Sequence, residues 1–258
     1  MPFTFSHPAV VLPLLALPRR WRSATGLIVG SMTPDFEKFI RMSSHDPYSH
    51  TWRSIFYFNL PLGLVLAFVF HLVVRDALIA HLPGFLHARF SRYAGFDWST
   101  YARRHAGTLV LSLLVGTVSH IAVDSFTHVD GRSVQWFPVL REWVMEGAVN
   151  MRFYSLLQKL ASVAGGVALA WYLWQLPREK ATAPERDMAS FWGLMAALGA
   201  AVVAVRLQLG WAVGFDNVYH ASIVVLSAGL TSLVLTSALF KLWTGVLQWR
   251  ANRSRVNG

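Results

Sequence analysis

The sequence contains no cysteine. That absence excludes disulfide bonds, thiolate zinc clusters and a cysteine nucleophile, so any bound metal must rest on nitrogen and oxygen ligands. Charged residues are also scarce, at 14% of 258 residues, whereas an ordinary soluble domain has about 25%. Hydrophobic residues make up 54%. This composition argues against a water-soluble globule and against a disordered chain, which needs low hydrophobicity and high charge.

The charge that is present is mostly positive. There are 23 Lys and Arg residues against 13 Asp and Glu, which gives a net charge of +10. These basic residues flank apolar runs, so we attribute them to contact with the headgroups of a lipid bilayer and expect no nucleic-acid partner. The N-terminal region does not resemble a signal peptide, because Arg19, Arg20 and Arg22 follow the first apolar stretch and do not precede it.

Five apolar runs are long enough to cross a bilayer, which takes about 20 mostly apolar residues. They lie near residues 55–74, 107–126, 160–176, 191–213 and 221–240. Two shorter stretches, 9–17 and 24–32, predict half-helices that do not cross, and the mixed segment 75–105 predicts an amphipathic helix at the interface. The predicted fold is therefore all-α: a polytopic membrane helix bundle of about five spanning helices, short N-terminal half-helices and an amphipathic interfacial segment.

One membrane domain over residues 1–250 is the simplest organisation, followed by a polar tail at 251–258. Within it, residues 1–54 form short helices that carry candidate site residues, residues 55–126 hold the first two spans, and residues 160–240 hold the last three. Basic residues divide almost evenly between the two sides of the membrane, so the positive-inside rule does not fix the orientation.

The second span carries the densest group of ionisable residues. His120, Asp124 and His128 are spaced four residues apart, which places them on one face of a helix. Ionisable side chains inside a span are costly and usually functional, and histidine with aspartate suits zinc, iron or manganese. The alternative is a hydrogen-bonded network without metal, in which Asp124 fixes the tautomer of His120.

Two further polar clusters precede the first span. Asp35 and Glu37 follow Pro34 and are typical of the first turn of a helix, but they are also candidate oxygen ligands or a general base. His45 and His50 flank an Asp-Pro turn signal. Each cluster taken alone favours an ordinary structural role.

The crossing count connects these clusters. With five spans, one side of the membrane holds residues 1–54, 127–159 and 214–220, so the candidate residues collect on that side or at its membrane edge. The main set comprises His7, Asp35, His50, His120 and Asp124. A second tier comprises His128, His45, Asp216 and His220, together with His71, which lies toward the other end of the first span and is structural or part of a polar path.

Three separated motifs also carry a resemblance to a known family. They are residues 1–8 (MPFTFSHP), 30–37 (GSMTPDFE) and 119–128 (SHIAVDSFTH). The chain resembles the bacterial membrane family catalogued as domain of unknown function 4184, and more distantly it is similar to the membrane-bound metal-dependent hydrolases. That distant resemblance implies five metal ligands: His7, Asp35, His50, His120 and Asp124. Glu37 stands where the distant family has a second aspartate.

These expectations together describe a membrane-embedded metal-dependent hydrolase. A divalent metal, zinc in first place, would serve the hydrolysis of a phosphoester or lipid-linked substrate, with Asp35 or Glu37 as base. Two alternatives stay open: a non-enzymatic membrane protein with a structural His/Asp metal or hydrogen-bond site, and a transporter of protons or metal ions. The expected location is the bacterial inner (cytoplasmic) membrane.

Overall fold

The computed structural model describes residues 4–145, 147, 150–179, 188–209 and 218–256. In chain order the α-helices are α1 Pro8–Val11, α2 Ala24–Gly30, α3 Phe36–Arg41, α4 Leu60–Val69, α5 Arg75–Ala80, α6 Gly84–Phe90, α7 Trp98–Arg104, α8 Ala106–Thr127, α9 Arg132–Trp136, α10 Phe153–Gln175, α11 Met188–Gln208 and α12 Val218–Val256. A short antiparallel hairpin, β1 Trp143–Met145 and β2 Met151–Arg152, pairs Trp143 with Arg152 and Met145 with Met151.

Five helical segments are long and apolar enough to cross a membrane. They are Ile55–Ala80, Ala106–Trp136, Phe153–Gln175, Met188–Gln208 and Val218–Thr244. The first is a continuous helix in which π-helical turns at Ile55–Asn59 and Phe70–Val74 precede α4 and α5. The third helix begins at Phe153, before the apolar run predicted at 160–176, and this earlier start gives it the length to span. The prediction of an all-α bundle with five spans is confirmed, and the protein is an integral membrane protein.

The chain divides into two compact units. Unit one comprises Met1–Glu37, Asp46–Ala67 and Ser99–Leu176, and unit two comprises Lys38–His45, Phe68–Trp98 and Pro177–Gly258. All five residues of the main candidate set fall in unit one. The organisation as one membrane domain stays a prediction.

In unit one, the half-helix α2 packs against α8 at backbone distance. A Cβ atom on Gly30 would lie 2.3 Å from the Leu113 carbonyl oxygen, and one on Gly116 would lie 2.4 Å from the Leu27 oxygen. Only glycine permits this approach, as is common between small residues of membrane helices. The contact fixes the segment that follows α2, and with it Asp35, beside the second half of α8.

The N-terminal segment of unit one is fixed by α10. This helix packs against the 3-10 turn Thr4–Ser6 and against α1. A Cβ atom on Gly165 would lie 2.8 Å from the Ser6 carbonyl oxygen, so the glycine lets the backbone pass close to the helix. His7 directly follows this turn and is thereby placed inside the unit.

In unit two, α11 packs along α12, and α12 also contacts the π-helical turn Phe70–Val74. The segment predicted as one amphipathic helix, 75–105, is divided into α5, α6, a 3-10 turn at Ser91–Tyr93 and α7. Arg75 within it is buried, and its guanidinium donates two hydrogen bonds to Asp76. His81 is also buried and stacks on Phe191, with ring centroids 4.4 Å apart.

Candidate metal centre

Five ionisable side chains of unit one meet at the C-terminal half of α8. We call them the His/Asp cluster: His7, Asp35, His50, His120 and Asp124. The Nε2 atom of His120 lies 3.3 Å from Asp124 Oδ2 and 4.0 Å from Asp35 Oδ2. The Nε2 atom of His50 lies 3.4 Å from Asp124 Oδ2 and 3.6 Å from Asp35 Oδ1. The Nε2 atom of His7 lies 3.7 Å from Asp124 Oδ1.

His120 is held in one tautomer by the backbone. Its Nδ1 lies 2.7 Å from the carbonyl oxygen of Ser31, which can only accept, so Nδ1 carries the proton and donates. The unprotonated Nε2 then faces the two carboxylates. An outer partner of this kind orients a metal-binding imidazole and fixes its tautomer. The Ser31 carbonyl is available because α2 packs so closely against α8.

His50 has a carboxylate in the equivalent outer position. Its Nδ1 lies 2.6 Å from Asp46 Oδ2, which leaves Nε2 directed at Asp35, Asp124 and His120. Asp46 was interpreted from the sequence only as part of a polar turn. The signal that could have identified it is its spacing of four residues from His50, the same spacing that joins His120 to Asp124.

His7 is buried against the ring of His120. Its ring stacks on that of His120, with centroids 3.8 Å apart and planes at 20°. Burial, with a smaller effect from His120, lowers the pKa of His7 to about 3, so the imidazole is neutral near pH 7. Within the described part of the chain, neither His7 Nε2 nor Asp124 Oδ1 makes a hydrogen bond. An unsatisfied buried polar group costs about 1–3 kcal/mol, and a cation between the two would satisfy both.

Asp35 enters the cluster from the last position of the 3-10 turn Thr33–Asp35, directly before α3. It is 1% exposed, and Thr4 Oγ1 donates a 2.7 Å hydrogen bond to its Oδ2. Its two oxygens face different histidines, Oδ1 toward His50 and Oδ2 toward His120. Asp35 therefore occupies the position expected of an oxygen ligand.

Glu37 has a different environment. Its Oε2 accepts hydrogen bonds from the backbone N–H of Tyr48 at 3.1 Å and of Ser49 at 2.7 Å. The same turn is held from the other side, where Ser54 Oγ and Asn59 Nδ2 both donate to the Ser49 carbonyl. Glu37 thus fixes the turn that carries His50, and it belongs to neither group of candidate ligands. Its assignment as a catalytic base stays a prediction.

His128 borders the cluster. Because α8 ends at Thr127 and His128 is extended, the predicted stripe of three residues on one helix face stops before its last member. His128 Nδ1 still lies 3.6 Å from Asp124 Oδ1, while its Nε2 lies 3.3 Å from Gln158 Nε2 in α10.

The remaining second-tier residues lie in unit two or outside the described residues. His71 stacks on Trp98 with centroids 4.0 Å apart and accepts a hydrogen bond from Arg75. His220 forms a hydrogen bond with Ser44 Oγ, and His45 is exposed. Each of these three residues belongs to unit two and not to the His/Asp cluster. Asp216 lies outside the described residues.

The separations in the cluster match the requirements of a metal site. Two triplets, His7–Asp35–His120 and His50–His120–Asp124, each place their donor atoms within 4.8 Å of one another. Ligands of one zinc ion lie about 2.0–2.2 Å from it, so two of them are separated by at most about 4.4 Å. Small side-chain movements would therefore bring each triplet onto one ion. Three imidazoles and two carboxylates suit zinc, manganese or iron.

One family model matches nearly the whole chain. The model of the family described as "Domain of unknown function (DUF4184)" matches residues 1–241. The chain belongs to this family. The match includes every residue of the His/Asp cluster and all five candidate spans up to residue 241. The comparisons with curated proteins and with solved structures return no match. The likeness to metal-dependent hydrolases stays a prediction.

Proposed function

We propose that the His/Asp cluster binds a divalent metal ion, zinc in first place, and that the protein is a membrane-embedded hydrolase of phosphoesters. The observation that carries this proposal is the convergence of three imidazoles and two carboxylates from four separate segments of unit one. Two of the imidazoles are already held through Nδ1 with Nε2 directed into the cluster, His120 by Ser31 and His50 by Asp46. A hydrogen-bond network without metal does not require this preset orientation.

The residues of the His/Asp cluster differ in burial, and we assign their roles accordingly. His7, Asp35 and His120 are almost fully buried, so they would hold the ion away from water. The side chain of His50 is 22% exposed, so a substrate would approach from this side. A divalent ion bound here would supply a Lewis acid for a phosphoryl or carbonyl oxygen and would activate a water molecule. Asp46 keeps the proton of His50 on Nδ1 and so keeps Nε2 directed at the reacting side.

The substrate class follows from the place of the cluster along its helix. Asp124 lies near the C-terminal end of α8, within the candidate span Ala106–Trp136. Taking the end of α8 at Thr127 as the membrane edge of this span, the site would lie beside a phosphate group of a lipid or a lipid-linked phosphoester. We place the protein in the bacterial inner membrane as part of the same proposal.

The first experiment measures metal in the detergent-purified protein by mass spectrometry. We expect near-stoichiometric zinc or manganese in the wild type and its loss in His120→Ala and Asp124→Ala. His45→Ala is the matched control, because His45 is an exposed histidine in the segment just before His50. Size-exclusion profiles and thermal unfolding show whether each variant is folded. A metal-free wild type after reconstitution with several divalent ions would overturn the metal site.

The second experiment tests the reaction. The metal-loaded protein is assayed with a soluble aryl phosphodiester and with phospholipids in mixed micelles, beside His50→Gln and Asp35→Asn. We expect hydrolysis by the wild type and at least about a hundredfold lower rates in both variants, as is typical when an electrostatic catalytic group is removed. Bound metal without hydrolysis of either substrate, together with lower thermal stability when the metal is removed, would instead identify a structural site.

A further inference from the structure

The connection between α8 and α10 exposes several large apolar side chains. We call residues 129–145 together with 151–152 the interfacial loop. Seven of its large apolar side chains are between 45% and 71% exposed: Val129, Trp136, Phe137, Val139, Trp143, Val144 and Met145. Contiguous exposed apolar patches mark contact with a partner or with lipid.

The first strand of the hairpin in the interfacial loop is exposed on both faces, whereas Met151 in β2 is buried and both strands contact α10. Successive side chains of a strand point to opposite faces, and all three residues of β1 are exposed. The strand β1 presents Trp143, Val144 and Met145 without cover from the described part of the chain, so an apolar environment around it would bury them.

The spans that flank the interfacial loop indicate that the apolar environment is the membrane. The loop begins just after α8 ends at Thr127, so it includes the last residues of the candidate span Ala106–Trp136, and it is followed by the candidate span Phe153–Gln175. Both ends therefore emerge on the same side of the membrane, at the level of the lipid headgroups. Tryptophan and arginine are the residues expected there. The Arg152 guanidinium lies 4.4 Å from the centre of the Trp143 ring and also donates to the Arg141 carbonyl.

The charge of the loop distinguishes apolar insertion from electrostatic attraction. Between residues 129 and 152 the sequence holds three basic residues (Arg132, Arg141 and Arg152) and three acidic ones (Asp130, Glu142 and Glu146). The segment is therefore neutral overall, although the whole chain is strongly basic. Attraction to anionic lipid does not explain its exposed aromatics, whereas burial in the headgroup layer of any phospholipid does.

The interfacial loop is also joined to the His/Asp cluster at both ends. Before it, His128 lies 3.6 Å from Asp124. After it, α10 begins at Phe153 and carries Gln158, whose amide nitrogen lies 3.3 Å from His128 Nε2. At a rise of about 1.5 Å per residue, Gln158 is about 8 Å along the helix from the hairpin.

We propose that the interfacial loop inserts Trp143 and Val144 into the headgroup layer of the bilayer and presents the phosphoester of a membrane phospholipid to the His/Asp cluster. The insertion depends only on the exposed aromatics and the flanking spans. The delivery of a lipid rests on the hydrolase proposed above. The two parts are therefore tested by separate measurements.

The absence of native cysteine permits a direct test of insertion. Val144→Cys and Arg104→Cys, both at exposed positions, are each spin-labelled in the full chain reconstituted into phosphatidylcholine vesicles. We expect the label at position 144 to be accessible to oxygen and shielded from a water-soluble nickel chelate, and the label at position 104 to show the reverse. Adding phosphatidylglycerol should leave the result unchanged. A label at position 144 that is open to the nickel chelate would overturn the insertion.

The delivery of lipid is tested by comparing two substrates. In the double variant Trp143→Ser with Val144→Ser, we expect hydrolysis of phospholipid in vesicles to fall about tenfold, because two apolar anchors are lost. Hydrolysis of the soluble aryl phosphodiester should be unchanged, and Trp143→Phe should keep most of the lipid activity. Equal rates with lipid in the double variant and the wild type would overturn delivery. A wild type that hydrolyses neither substrate would refute the hydrolase, while the spin-label result would still decide the insertion.

Discussion

At the scale of single residues, the histidines of this protein differ by what faces their second nitrogen. Like His120, which donates through Nδ1 to the Ser31 carbonyl, His81 and His87 form hydrogen bonds through Nδ1 to backbone carbonyls, those of Ala77 and Ile79. The second nitrogen of His120 faces two carboxylates at 3.3 Å and 4.0 Å. A fixed tautomer is therefore common in this chain, and the carboxylates opposite it are what make a candidate metal ligand.

Substitutions of Glu37 test whether this residue only holds the turn that carries His50 or also acts in the reaction. Glu37→Ala removes the acceptor of two backbone N–H groups, that of Ser49 buried and that of Tyr48 partly buried, so we expect a loss of about 1–3 kcal/mol in the free energy of unfolding. Zinc affinity should fall as well, because His50 is no longer held. Glu37→Gln keeps an acceptor oxygen and should lose less of both. The measurements are thermal unfolding in detergent and calorimetric zinc titration.

The opposite pattern would show that Glu37 acts in the reaction. If Glu37→Gln keeps the wild-type stability and zinc affinity but abolishes hydrolysis, Glu37 is the base that the sequence suggested. Asp97→Asn, a change of an acidic residue in unit two, serves as the control for altered net charge.

The sequence predicted the members of the cluster better than their supports. His120 and Asp124 were paired by their helical spacing, and the crossing count brought His7, Asp35 and His50 to the same side. The outer partner Asp46 was missed because periodicity is not evident in a short turn. His128 was placed on the helix face because spacing alone does not reveal that α8 ends at Thr127.

At the scale of elements, the contact between α2 and α8 depends on glycine. Gly116→Ala would place a methyl group 2.4 Å from the Leu27 carbonyl oxygen. Neither helix backbone can move without separating the pair, so we expect a destabilisation of about 1–3 kcal/mol, as for other overpacked sites. Metal content should fall too, because Ser31 would move away from His120. Thermal unfolding and mass spectrometry measure the two effects.

Gly107→Ala is the matched control in the same helix. A Cβ atom at Gly107 meets nothing within 4 Å in the described part of the chain. Alanine has a higher helix propensity than glycine by up to about 1 kcal/mol, so this variant should be as stable as the wild type or more stable. Equal stability losses in the two variants would contradict the close packing of α2 on α8.

The long apolar helices were predictable because hydrophobicity alone reports them, but the short elements were not. The hairpin was missed because β1 holds only three residues, too few to show the alternation of a strand. The two π-helical turns in the first span were missed for a similar reason, since an apolar run has the same composition whether its turns are α or π.

At the scale of the whole molecule, the five spans predict the sides on which the loops lie. The helix α8 crosses the membrane between Arg104 and Glu142, so these two exposed residues should lie on opposite sides. In Arg104→Cys and Glu142→Cys, a membrane-impermeant maleimide should label one variant in intact cells and the other only in inverted vesicles. Labelling of both from the same side would contradict the crossing. The same assay fixes the orientation that the basic residues leave undecided.

The seven residues of α2 have a consequence for how the protein is made. A segment this short does not enter a bilayer by itself, because insertion takes about 20 apolar residues. Yet its packing partner α8 is synthesised much later in the chain. The N-terminal region, with His7, Asp35 and His50, must therefore wait outside the lipid until α8 has been inserted, and only then dock. The His/Asp cluster is the product of a late step in biogenesis, and a nascent chain halted before residue 106 has no surface on which to build it.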